Sequence, residues 1–155
     1  MISDSGAAPR TVAIIPAMTQ RFRFLVACFV ISLAACGGTI NYELRGTQLS
    51  PGSDGKLDAK IDTSRNLTQL ELRASNLTPP DRVVEGGTSY VVWTRHTSAT
   101  PWMRLGALEL TDEGRAGNAT LTVSEVAFDL LVSVEASVEV ASPSGKTVFE
   151  QRVQE

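Results

Sequence analysis

The chain has 155 residues, 14 basic and 17 acidic side chains, a formal net charge of −3 and two cysteines. This length suits one domain with one core. Its mild acidity and lack of a Lys/Arg run argue against a nucleic-acid binder and give no overall electrostatic pull toward an anionic membrane.

Residues 1–17 make a poor leader, because Asp4 is acidic and Gly6, Pro9 and Pro16 break helices. Met18-Thr19-Gln20-Arg21-Phe22-Arg23 is a conventional start, so Met18 is the expected initiator, the alternative being a long leader from Met1 that is cut off with the rest. The apolar run that follows, from Phe24 to Ala35, is about a dozen residues where a membrane span needs roughly 20. Basic lead, short apolar middle and small residues before a cut site are the layout of a secretory signal.

Leu33-Ala34-Ala35-Cys36 closes that signal. These four residues resemble the bacterial lipobox, in which a large apolar residue and two small ones precede a cysteine that is lipidated and becomes the new N-terminus. The resemblance implies a leader at 1–35, a lipidated N-terminus and short tether at 36–39, and a domain at 40–155. Acyl chains gain roughly 0.8 kcal/mol per buried methylene, enough in combination for permanent anchoring to a membrane. Gly37 stands where an aspartate retains such proteins at the inner membrane, so the expected address is the outer membrane, facing the periplasm. Removing residues 1–35 takes away Arg10, Arg21, Arg23 and Asp4, leaving 11 basic and 16 acidic residues. With Cys28 discarded and Cys36 lipidated, no pair remains for a disulfide, redox motif or metal cluster.

Strand-like alternation begins almost at once. Ile40, Tyr42 and Leu44 alternate with polar residues, as do Leu57, Ala59 and Ile61, and then Leu70, Leu72 and Ala74. Ser50 to Gly55 is a turn cluster. Pro79-Pro80 cannot donate to a ladder and predicts a crossover loop. Tyr90-Val91-Val92-Trp93 is apolar on both faces, the pattern of a covered central strand. Alternation at Met103 and Leu105 changes phase to Leu108 and Leu110 across Gly106, which predicts a bulge. Thr111 to Gly117 is a turn, and Ala119, Leu121 and Val123 begin another strand. Leu130, Val132, Val134, Ala136, Val138 and Val140 occupy every second position, predicting one long strand with a wet opposite face. Ser142 to Gly145 turns the chain into a final strand through Thr147, Val148, Phe149 and Val153.

No stretch after Cys36 repeats apolar residues at helical spacing. The pattern therefore predicts an all-β fold, an immunoglobulin-like antiparallel β-sandwich of seven or eight strands, with a small β-barrel as the alternative.

Tyr90-Val91-Val92-Trp93, Arg104-Leu105-Gly106-Ala107-Leu108 and Asp112-Glu113-Gly114-Arg115 carry a second resemblance. Together with Val134-Glu135 and Ser142-Pro143-Ser144-Gly145, they are similar to the extracytoplasmic domain of anti-sigma-K-type factors. The likeness covers roughly residues 57–153 and implies a sandwich. The sigma-binding region with its metal-binding His and Cys residues, and the membrane helix of that family, have no counterpart among these motifs, so the likeness implies an accessory or regulatory role at most.

The single histidine, His96, lies in a loop without a nucleophile motif, which argues against an enzyme. No metal or cofactor is expected: Asp58 and Asp62 alternate on the wet face of a strand rather than converging from a calcium loop. Trp93, Arg95, His96, Trp102 and Arg104 instead make a candidate binding patch. Aromatic rings beside cations suit a sugar ring or a protein partner. The competing expectation is that one tryptophan packs inside and the other covers an edge.

Overall fold

The computed structural model describes residues 38–144 and 146–155; Cys36 and its preceding Leu33, Ala34 and Ala35 lie outside them. The first three strands follow directly from the alternation. β1 (Thr39–Arg45), β2 (Asp54–Asp62) and β3 (Leu67–Ser75) run antiparallel, with Tyr42 opposite Leu57 and Leu57 opposite Leu72. Leu57, Ala59, Leu70 and Leu72 are almost wholly buried on the inner face. Lys56, Asp58, Glu71 and Arg73 lie on the outer one, with Arg73 paired to Asp58 and Glu71.

The proline-rich segment then carries the chain from one sheet to the other, through a helical turn, α1 (Pro80–Val83). The second half forms β4 (Ser89–Arg95), β5 (Met103–Ala107), β6 (Glu109–Thr111), β7 (Ala116–Val123), β8 (Phe128–Glu135) and β9 (Thr147–Val153). One sheet has the order β1-β2-β3-β7-β6 and the other β5-β4-β8-β9. Strands β2-β3-β7-β6 against β5-β4-β8-β9 reproduce the two faces of an immunoglobulin-like sandwich, with β1 added at one edge. The sheets are separate, so the chain is a sandwich and not a barrel. Tyr90, Val92, Phe128, Leu130, Val132 and Phe149 fill the space between them from the second sheet.

Among the described residues the strands number nine because the run from Met103 to Thr111 splits. The phase change read as one bulge at Gly106 is two events. Leu105 is an extra residue between the pairs Val92–Gly106 and Trp93–Arg104. At Leu108, whose N–H donates to the Tyr90 carbonyl, the chain leaves β4 and passes to β7 in the other sheet. Gly106 permits this, since a Cβ there would lie 2.7 Å from Leu121 Cδ2 across the sandwich.

The long strand expected through Val140 ends instead at Glu135. Its neighbours stop there: β4 begins at Ser89 opposite Glu135, and β9 last pairs Thr147 with Ser133. With no ladder to join, residues 136–144 leave the sheet, and Val140 packs on the outer cluster of Trp93, Val91 and Leu131. The face expected to be wet is therefore covered, and Leu131, Ser133 and Glu135 are all buried.

Tyr90 fixes the crossover, its hydroxyl donating to the Thr78 carbonyl. Burial pushes the phenol from 10.0 up to about 12. A folded-state pKa above the unfolded one favours folding below pH 10 and loses that contribution as pH rises through about 12. Stability is expected to fall across this window, and Tyr90→Phe to flatten the fall; chemical denaturation at stepped alkaline pH checks it.

Candidate functional site

β4 is the organising strand of the candidate patch, because consecutive residues serve two cores. Tyr90 and Val92 face the space between the sheets, while Val91 and Trp93 face outward and are nevertheless fully buried. Their cover comes from Leu131 of β8, from Trp102 before β5 and from Val140. The Trp93 indole N–H donates to Ser133 Oγ at 2.8 Å, and Ser133 Oγ donates to Glu135 Oε1 at 2.5 Å. The same carboxylate oxygen accepts the Ser144 N–H at 2.9 Å. Arg104 donates to the Val138 carbonyl. A buried acid and an edge arginine thus hold residues 138–144 down over the tryptophan.

The patch surface begins where Trp93 ends. The Arg95 guanidinium lies 4.2 Å from the centroid of the half-buried Trp102 ring, a cation–π contact. Arg95, Asp129 and Arg152 stand side by side on β4, β8 and β9. Arg95 Nε donates to one Asp129 oxygen and Arg152 Nη1 to the other, both at 3.0 Å. Arg152 also donates to the His96 carbonyl at 3.0 Å. His96 Nδ1 sits 3.1 Å from Glu125 Oε2, with 63% of the His96 side chain exposed.

Comparison with protein-family models, curated proteins and solved structures finds no match.

Chemistry must therefore be read from the side chains. Of the five expected patch residues, the fold brings Trp93, Arg95 and Trp102 into one stack, but Trp93 offers no surface to a ligand. His96 turns toward Glu125, and Arg104 toward a backbone carbonyl. At the surface stand part of the Trp102 ring, the partly exposed Arg95, and the exposed side chains of Arg152, His96 and Arg104. His96 hydrogen-bonds no serine or threonine hydroxyl among the described residues, and no three His, Cys, Asp or Glu side chains there converge as metal ligands. Asp129, Arg152 and Glu125, which set the charge of the patch, escape sequence reasoning because only strand register brings them to β4.

Partial burial pushes the Asp129 carboxyl up, but hydrogen bonds and charge from Arg152 and Arg95 outweigh this and hold it below 3.8. A depressed folded-state pKa favours folding above the ordinary carboxylate range and loses that contribution as pH falls through the folded value. Asp129→Asn is therefore expected to lower the melting temperature at neutral pH and to leave it less sensitive to acid below about pH 4. Melting curves from neutral to strongly acidic pH test this.

Proposed function

We propose that the chain is a bacterial envelope lipoprotein, cut after Leu33-Ala34-Ala35 and lipidated on Cys36. Its sandwich would serve as a non-catalytic binding or structural module on the periplasmic face of the outer membrane. The observation that carries the reading is the position of β1, which begins at Thr39. A folded domain thus starts two glycines after the lipobox cysteine, where an anchored module needs its tether. The aromatic and basic surface around Trp102 supports binding. An accessory regulator is the second reading, favoured by the Tyr90-Val91-Val92-Trp93 strand, whose two-sided burial follows the motif that carries the anti-sigma likeness.

Cys36→Ser is the test. The variant is expected to leave the membrane fraction completely, while the parent stays and shows the mass of a chain beginning at acylated Cys36. A parent protein with a free thiol behind an uncut leader would defeat the proposal.

A further inference from the structure

One end of the sandwich gathers the start of β1, the Thr63–Asn66 turn, the Ser124–Ala127 and His96–Trp102 connections, and Gln154-Glu155 after β9. Hydrogen bonds knit them into a continuous surface. Asn66 Nδ2 donates to the Ser124 carbonyl at 3.0 Å and Thr68 Oγ1 to the Glu125 carbonyl at 2.6 Å. Glu125 meets His96, and Arg152 reaches the His96 carbonyl. The Tyr42 hydroxyl donates to the Gln154 carbonyl at 2.9 Å. The candidate patch therefore lies at the end where the chain arrives from Cys36.

We propose that this end rests on the phospholipid headgroup layer, with Trp102 and Arg95 seated in it. The inference rests on lipidation of Cys36. From Cys36 to Thr39 the chain reaches at most about 11 Å, so this end cannot rise far from an anchored cysteine. Its chemistry fits the interface. Indole rings and arginines are the side chains that settle at headgroup level. Of its carboxylates, Asp62 lies 3.7 Å from Arg65, Asp129 meets both Arg95 and Arg152, and Glu125 contacts His96, while the exposed Glu155 forms no ion pair among the described residues.

The opposite end carries charge of both signs: Asp81, Glu85, Asp112 and Glu113, and also Arg82 and Arg115, are exposed there and form no ion pair among the described residues. Asp112 and Glu113 stand on a turn with φ of 52 and 57 degrees, which presents both carboxylates at its tip. Resting on the tether end, the sandwich stands upright, and the long connections 76–88 and 136–144 leave the strands at the far end.

The test uses lipidated full-chain product purified from bacterial membranes and placed in vesicles of phosphatidylethanolamine and phosphatidylglycerol, part of the lipid brominated high on the acyl chains. Flotation reports the anchor, and tryptophan quenching reports the contact. The parent is expected to float and to lose about half of its emission, with Trp102→Phe floating and staying nearly unquenched because only Trp93 remains. Equal quenching of parent and variant, both afloat, overturns the resting surface while leaving the anchor intact. Failure to float overturns the anchor and this inference with it. An environment-sensitive dye at Ser98→Cys should shift to the blue on vesicles and the same dye at Glu85→Cys should not; the opposite pattern overturns the orientation without reference to Trp102.

Discussion

Trp93→Ala is expected to lower stability by about 4 kcal/mol, a fall in melting temperature of roughly 15 °C for a domain of this size. Two losses combine. The indole is 0% exposed in a small cluster outside the second sheet, and its removal leaves a cavity under Trp102 and Val140. Ser133 also loses the indole N–H that it accepts at 2.8 Å, in a buried network ending on the Glu135 carboxylate. Trp93→Phe should fall between parent and alanine variant, since it keeps most of the apolar body and sacrifices only the donor. Thermal and denaturant melts of the three proteins measure the series. A loss under about 1 kcal/mol for the alanine variant would mean that the connection over Trp93 contributes nothing as a lid.

Gly46→Ala should cost about 3 kcal/mol for a different reason. A Cβ at this position would stand 1.9 Å from the Ser50 carbonyl oxygen, a backbone atom that cannot swing away. Around it lies a polar knot in which Ser50 and Ser53 are 0% and 1% exposed. Their hydroxyls meet each other at 2.5 Å, and Ser50 Oγ reaches Thr78 Oγ1 at 2.9 Å while Ser53 Oγ donates to the Asn76 carbonyl at 3.1 Å. The neighbouring Thr47 donates through its N–H to Val148 and through its hydroxyl to Thr147. Displacing the loop therefore disturbs β1, the crossover and β9 together. Gly52→Ala is the control, for a Cβ there meets nothing within 4 Å. Its stability should stay within about 0.5 kcal/mol of the parent, and similar losses for both variants would refute the steric account.

Alternation of period two disclosed β1, β2, β3 and β7, because each has one dry and one wet face. It misled at β8. Ala136, Val138 and Val140 keep the period, yet pairing stops at Glu135, and periodicity carries no information about where a neighbouring strand ends. Ser133 and Glu135 also read as solvent-facing although both are buried. The sequence held a warning in Leu131, apolar on the supposedly wet side and in line with Val91 and Trp93 across the ladder. Consecutive Val148 and Phe149, both in the core, make sense once an extra residue is placed between the pairs Val132–Phe149 and Ser133–Thr147. The patch was half legible: Trp102 and Arg95 are near in sequence, whereas Asp129 and Arg152 become their neighbours only through register.

β1 meets β2 along seven consecutive pairs, from Thr39 opposite Lys60 to Arg45 opposite Asp54. Under the proposed lipidation of Cys36, a pull between the start of this strand and the far end of the sandwich runs parallel to the strand axis. The ladder hydrogen bonds then bear the load together in shear instead of opening one by one. On that proposal β1, which places Leu44 in the core, is also the mechanical grip between the domain and its anchor.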